Sequence, residues 1–193
     1  MMMMYSSYRE NNFGEKIYEI ILKFSPLVVV ELGVLEGFST IVIARALYEL
    51  KTGHLDAYDI WEDYEYRHST QKEVQKTIGE CGLSDFVTLY KQDAYTVHKN
   101  YDDGSVDLLH IDISNDGDIF NTMLENWDSK ISPCGLILFE GGSEERDQVE
   151  WMAKYKKKPI RPEINNNSLA NTNYIYGTYN LFPSLTVLVK KIM

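Results

Sequence analysis

The sequence predicts an α/β fold built around a doubly wound, mostly parallel β-sheet. Apolar strands alternate with amphipathic helices along the chain, and this order favours right-handed crossovers between parallel strands. A glycine-punctuated turn at residues 33–37 joins the first strand to a helix. An acidic residue also lies near the end of each of the first five predicted strands, as expected where such sheets bind ligands.

The first elements surround that turn. Apolar residues over 13–24 recur at three- and four-residue spacing, which predicts an amphipathic helix ended by Pro26. The valine run at 28–30 suits a strand covered on both faces. Gly33 and Gly37 allow a tight backbone near a ligand, and Ser39 is expected to cap the next helix.

Further elements continue the alternation. Thr70 and Glu73 form a capping box that begins a helix closed by Gly82. Prolines break the chain after a helix predicted for residues 143–155, and residues 165–168 have turn-forming composition. The last two strands are expected to pair as an antiparallel hairpin at the sheet edge. The later strands are predicted at residues 55–61, 86–90, 106–112, 134–140, 174–178 and 185–189.

Size and charge limit the function. The 193 residues fit one domain, with an N-terminal helical segment (1–25) and an α/β core (26–193). The net charge of −10 disfavours nucleic-acid binding, which depends on clustered Lys and Arg. Cys81 and Cys134 lack metal-ligand spacing, and Cys134 is expected to be buried. With no signal in residues 1–4 and no membrane-spanning run, a cytoplasmic protein is expected.

The turn carries a family resemblance. Glu31, Gly33, Gly37 and Ser39 form the pattern Glu-x-Gly-x-x-x-Gly-x-Ser. It resembles the first motif of class I S-adenosylmethionine-dependent methyltransferases, especially small-molecule and catechol O-methyltransferases. The resemblance implies a Rossmann-like, seven-stranded sheet and methyl transfer from S-adenosylmethionine to a small molecule, such as a sugar hydroxyl. The turn alone also fits an ordinary strand-to-helix connection.

The resemblance assigns cofactor roles in the first half of the chain. Glu31, the turn at 33–37 and Ser39 would surround the methionine part of the cofactor. Asp59, which ends the second strand, would accept hydrogen bonds from the ribose hydroxyls.

Three more residues would complete the nucleoside site. Asp93 and Ala94, after the third strand, would lie near the adenine. Trp61 would cover the adenine or ribose, although a core-lining aromatic is an equally good interpretation. Each acid taken singly also fits a solvated loop acid or a helix cap.

A second resemblance lies at residues 110–116. It is similar to the His/Leu-Ile-Asp-Gly-Asp-His stretch of the macrolide-sugar O-methyltransferase family, and Asp112 matches the first acid. Ser114 and Asn115 replace the second acid and the histidine. Glu140 is followed by Gly141-Gly142, where relatives usually have Asp-Asp or Asp-Asn.

Metal and proton-transfer roles follow from this stretch. Asp112, Asp116 and Glu140 would supply oxygen ligands for a divalent metal such as Mg²⁺. Asp112, Asp116 and His110 are also the candidate bases for removing the acceptor's proton. His110 lies inside a strand, and a core histidine is its better interpretation.

Rival functions have less support. Gly33 and Gly37 lack the dinucleotide-binding spacing, which disfavours a nicotinamide-dependent oxidoreductase. A non-catalytic cofactor-binding or assembly protein stays open, because the catalytic stretch departs from the family. The N-terminal helix and terminal hairpin are candidate oligomer surfaces, and residues 5–13, 64–68 and 161–174 are candidate acceptor-binding segments.

Overall fold

A computed structural model describes residues 5–65 and 69–192. The predictions made on residues 1–4 and on residues 66–68 therefore lie outside the described residues. The chain divides into two compact units, Met1–Val97 and His98–Met193. The prediction of one domain stays a prediction, and the units are described separately.

The first unit alternates helices with parallel strands. β2 pairs with both β1 and β3, so Ala57 lies opposite Glu31 on one side and Leu89 on the other. The N-terminal helix and the capping box, which starts α3, are confirmed. The elements are α1 (Phe13–Phe24), β1 (Val28–Leu32), α2 (Phe38–Leu50), β2 (His54–Asp59), α3 (Gln71–Glu80), β3 (Val87–Lys91) and α4 (Ala94–Val97).

The second unit begins with two parallel strands and ends in the predicted antiparallel hairpin. β4 pairs with β5, and β7 pairs antiparallel with β5 and β6. The elements are β4 (Val106–Ile111), α5 (Gly117–Trp127), β5 (Ile131–Glu140), α6 (Glu144–Asp147), α7 (Glu150–Lys154), α8 (Ile160–Asn166), α9 (Ser168–Asn173), β6 (Tyr174–Tyr179) and β7 (Leu185–Lys190).

The strand order confirms the predicted fold class. The strand order is β3-β2-β1 in the first unit and β4-β5-β7-β6 in the second. Parallel pairs in both units and antiparallel pairs at the C-terminal end give the doubly wound, mostly parallel pattern. Fully buried apolar side chains contribute about 1.5–3 kcal/mol each to stability. Examples are Ile17, Ile21, Leu47, Leu55, Leu108, Trp127 and Leu138.

Two predicted elements differ after β5. The single helix predicted over 143–155 is two short helices, because Val149 has an extended backbone and separates α6 from α7. The Asp147 carboxylate at the end of α6 instead accepts the backbone N–H groups of Ile160 and Arg161, at 2.7 and 2.8 Å. Long-range capping of α8 accounts for the break.

The stretch 165–168, predicted as a turn, contains the end of α8 and the start of α9. Asn167 alone is extended, and its side-chain oxygen accepts the N–H of Ala170 at 3.0 Å, which caps α9. Pro162 lies in the first turn of α8, where a missing N–H costs no helical hydrogen bond. The predicted turn is therefore a single residue that joins two helices.

Two smaller predictions are wrong. Gly37, not Ser39, is the N-cap of α2, and Ser39 is the second residue of the helix. Cys134 is exposed, because β5 begins earlier and the residue lies in an irregularity of its pairing with β4. Within residues 5–65 and 69–192, every helix is too short or too polar to cross a lipid bilayer.

Candidate functional site

In the first unit, the glycine turn follows β1 at the carboxyl edge of the three parallel strands. Gly33 has a φ of 89° and donates its N–H to the Tyr58 carbonyl at 2.9 Å. Gly37 has a φ of 86°, and a Cβ there would lie 2.8 Å from Val74 Cγ1. Both positions require glycine, because a side chain would be strained or crowded. The turn therefore presents backbone rather than side chains before α2.

The start of α2 is suited to an anion. Its first backbone N–H groups have no acceptor within the helix, and the helix dipole places partial positive charge there. Ser39 lies in this first turn and is buried. The arrangement suits a carboxylate or phosphate group of a ligand.

Asp59 organises the turn. One carboxylate oxygen accepts the N–H groups of Val34 (2.7 Å) and Leu35 (3.3 Å), and the other accepts the N–H of Trp61 at 2.9 Å. The side chain is buried, with 9% of the residue exposed. The ribose role stays a prediction, but Asp59 has a structural role as well.

Two further candidates in this unit are buried. Glu31 is fully buried and accepts a short hydrogen bond from the Thr40 hydroxyl. Trp61 is also fully buried, and its indole N–H donates to the Tyr90 carbonyl at 2.9 Å. The indole therefore exposes no face to a base, and the structure favours the core-lining interpretation.

The end of β3 lies beside the end of β2. The N–H of Gln92 donates to the Asp59 carbonyl at 3.0 Å. Asp93 is exposed and accepts the N–H of Tyr95 at 3.0 Å, and the half-buried Ala94 begins α4. The structure thus brings Asp59 and the Asp93–Ala94 segment to one edge of the first unit.

In the second unit, the parallel strands β4 and β5 end in the predicted acids. Asp112 directly follows β4 and is half-buried, whereas Glu140 ends β5 with only 5% exposed. Arg146, 2% exposed, donates from Nε to one oxygen of Glu140 at 2.7 Å and from Nη2 to the other at 3.0 Å. This two-point contact is a strong, charge-assisted ion pair.

Burial is the main influence on the pKa of Glu140. The pKa of Glu140 is raised to about 7, mainly by loss of hydration and also by the nearby Asp112 carboxylate. The positive charge of Arg146 and the nearby His110 oppose that shift. His110 is fully buried, which agrees with its interpretation as a core histidine.

Asn115 connects the ends of β4 and β5. Its amide group donates to the carbonyls of Ile111 and Glu140, both at 2.9 Å, and its side-chain oxygen accepts the N–H of Ile113 at 3.2 Å. Its own carbonyl accepts from Arg146 Nη2 at 3.4 Å. The residue that replaces the family's histidine is therefore a buried structural amide.

The predicted metal ligands do not form one ligand set. Asp116 caps α5 through the N–H of Ile119 at 2.9 Å and pairs with Lys157 at 3.3 Å. Both oxygens of Glu140 are held by Arg146. In the part of the chain that the structure describes, no group of three His, Cys, Asp or Glu residues could hold a metal. The residues present do not fit the predicted Mg²⁺ site.

Close packing explains why two glycines follow Glu140. A Cβ on Gly141 would lie 2.5 Å from Ile160 Cδ1, and one on Gly142 would lie 2.3 Å from Thr186 Oγ1. Both glycines also have positive φ. The acid or amide expected here by resemblance would not fit this packing.

Sequence reasoning missed Arg146, which the structure brings to Glu140. It also missed Trp151, whose ring lies 4.2 Å from the Arg146 guanidinium carbon. The available signal was local: Ser143 caps α6 by accepting the N–H of Arg146 at 3.1 Å, and this Ser-x-x-Arg spacing follows the strand that ends in Glu140.

Known proteins agree with this architecture. The model of a family described as a methyltransferase domain matches residues 30–140. No curated protein matches the chain. The O-methyltransferase TomG from Streptomyces achromogenes has 13% identity and a TM-score of 0.71, with 96% of this chain and 86% of that chain covered.

Two more solved structures share the fold. The methyltransferase PaMTH1 from Podospora anserina has 14% identity and a TM-score of 0.70, covering 93% of this chain and 78% of that one. A Geobacter sulfurreducens methyltransferase has 14% identity and a TM-score of 0.69, covering 95% and 80%. With the family match spanning more than half of its residues, the chain belongs to the methyltransferase domain family.

Proposed function

We propose that this methyltransferase moves the methyl group of S-adenosylmethionine to a hydroxyl oxygen of a small molecule. The observation that carries the proposal is the glycine turn of the first unit, held by Asp59 and followed by the open N-terminus of α2. TomG was solved with S-adenosylmethionine and PaMTH1 with S-adenosylhomocysteine, which supports the choice of cofactor.

Cofactor binding is assigned to the first unit. The carboxylate of the methionine part would bind the first N–H groups of α2, near Ser39. Asp59, at the carboxyl end of β2, would accept hydrogen bonds from the ribose hydroxyls. Asp93 and Ala94 would lie against the adenine, whereas the buried Trp61 supports the site from inside.

The acceptor step is assigned to Asp112. In the transfer, the hydroxyl oxygen attacks the methyl carbon in line with the sulfonium, the carbon–sulfur bond breaks, and S-adenosylhomocysteine leaves. The hydroxyl proton goes to a base. Asp112 directly follows β4 and matches the first acid of the family's stretch, whereas Asp116 caps α5 and pairs with Lys157. Asp112 is therefore the better supported base.

Charge supports a small acceptor. The net charge of −10 opposes binding to a phosphate backbone. The cytoplasmic location predicted from the sequence stays a prediction. It agrees with two free, exposed cysteines, Cys81 and Cys134, which suit a reducing compartment.

Calorimetric titration with S-adenosylhomocysteine and with NAD tests the cofactor assignment. We expect binding of S-adenosylhomocysteine alone. Asp59→Ala should weaken that binding, whereas Asp85→Ala, an exposed acid before β3, should not. NAD binding, or no binding of either ligand, would contradict the proposal.

Radiolabelled S-adenosylmethionine with a panel of sugars, phenols and other hydroxyl compounds tests the transfer itself. Methylation of one class, lost in Asp112→Asn with cofactor binding retained, is the expected result. Cofactor binding without transfer to any acceptor would favour the non-catalytic alternative.

A further inference from the structure

The ion pair between Arg146 and Glu140 is the most deeply buried charge pair recorded among the described residues. The two side chains are 2% and 6% exposed, whereas the partners in the other recorded ion pairs are markedly more accessible to solvent. Burying a guanidinium and a carboxylate costs several kcal/mol per ion before their attraction is counted. A pair retained at such a cost calls for a specific explanation.

The guanidinium holds the atoms that a metal would need. A divalent cation binds carboxylate oxygens, and both oxygens of Glu140 already accept from Arg146, at 2.7 and 3.0 Å. Asp112 is near enough to influence the ionisation of Glu140. The positive charge therefore sits beside two acids that were predicted as metal ligands.

The guanidinium is held in place from several sides. Ser143 caps the backbone N–H of Arg146 at 3.1 Å, and the carbonyl of Asn115 accepts from Nη2 at 3.4 Å. The Trp151 ring lies against the guanidinium at 4.2 Å, a cation–π contact. Arg146 Nη1 is buried and makes no hydrogen bond within residues 5–65 and 69–192.

The neighbouring backbone removes the usual second ligand. Gly141 and Gly142 have φ angles of 112° and 104° and no room for a side chain. The position after Glu140 therefore cannot carry an acid without repacking. Compared with the family pattern, this site lacks one carboxylate and has one guanidinium. Both differences make the local charge more positive.

We infer that Arg146 is a fixed cation that takes the place of a divalent metal beside Glu140 and Asp112. The site then needs no Mg²⁺, and the guanidinium supplies the positive charge near the acceptor-binding edge of β4 and β5. Its meaning for catalysis rests on the proposed function. The metal-binding measurement below does not, because it requires neither cofactor nor turnover.

The test compares metal binding before and after removal of the guanidinium. Wild-type protein and Arg146→Met are titrated with Mn²⁺ by calorimetry and with Tb³⁺ by luminescence excited through tryptophan. We expect wild type to show only weak binding, typical of surface acids. Arg146→Met should bind Mn²⁺ at least about tenfold more tightly, because both oxygens of Glu140 then lose the guanidinium that holds them.

Paired variants locate the gained site. Arg146→Met with Glu140→Gln should lose the gain. Arg146→Met with Trp151→Phe should keep Mn²⁺ binding but lose much of the Tb³⁺ emission, since Trp151 lies at this position. Lys130→Met removes a lysine from a surface pair with Asp103 and should gain nothing.

Either of two results would overturn the inference. One is tight, one-to-one Mg²⁺ or Mn²⁺ binding by wild type that Glu140→Gln removes. The other is a folded Arg146→Met that gains no metal binding. If that variant does not fold, the wild-type titration and transfer assays with and without EDTA still decide. Failure of S-adenosylhomocysteine to bind would instead contradict the proposed function.

Discussion

The carboxyl edges of the two units hold their buried acids in different ways. In the first unit, Asp59 is satisfied by the backbone N–H groups of Val34, Leu35 and Trp61. In the second, Glu140 is satisfied by the guanidinium of Arg146. Neutral donors shape the backbone around the acid, whereas a cationic partner cancels its charge.

The difference indicates that the two edges have different roles. Asp59 orders a turn whose glycines expose backbone and whose helix can bind an anion. Glu140, Arg146 and Asn115 form a rigid buried network. We therefore propose ligand binding at the first edge, whereas the second edge holds a buried ion pair.

The largest expected effect is on the charge pair. Arg146→Ala should lower the free energy of unfolding by about 3–5 kcal/mol, because it leaves Glu140 buried without a counter-ion. Urea denaturation measures the change. The double variant Arg146→Met with Glu140→Gln should cost clearly less. Equal losses in the two variants would show that packing, rather than charge, holds this edge.

The pH dependence of stability tests the same carboxyl group. Its pKa is raised from 4.5 to about 7 in the folded state, so the folded protein binds the extra proton more tightly between these values. By linkage, stability is greatest below pH 4.5 for this group and falls as pH rises through 7, by about 3 kcal/mol.

Urea denaturation at pH 5 and pH 8 measures that fall. Glu140→Gln lacks the titrating group, so its stability should fall less between the two pH values than that of wild type. Identical pH profiles for the two proteins would show that Glu140 has no raised pKa.

Asp59→Ala probes the neutral-donor edge. It removes the acceptor for three N–H groups and the predicted ribose contact, so binding of S-adenosylhomocysteine should weaken by about 1.5–3 kcal/mol. Calorimetry gives the affinity, and Asp85→Ala is the control. Unchanged affinity would remove Asp59 from the cofactor site.

The smallest expected effect is steric. Gly37→Ala and Gly82→Ala both place a side chain at positive φ, but only the first also meets a neighbour, Val74 Cγ1 at 2.8 Å. Gly37→Ala should therefore cost about 1–3 kcal/mol more in the free energy of unfolding. Equal costs, measured by urea denaturation, would mean that the turn has room for a side chain.

Local patterns predicted much of the fold. The apolar spacing over 13–24 and the Thr70–Glu73 capping box report contacts a few residues apart, so helices α1 and α3 follow from sequence. The helices after β5 could not be predicted in this way. Asp147 caps α8 across 13 residues, and such contacts leave no local pattern.

The same distinction separates the two candidate sites. The sequence by itself determined the glycine turn, the acids at the strand ends and the family resemblance, because each rests on nearby residues and backbone preference. Tertiary structure alone decided that Trp61 is buried in the core, that Asp116 pairs with Lys157 and that Arg146 pairs with Glu140. Those outcomes depend on burial and on charges brought together by folding, which spacing along the chain does not encode.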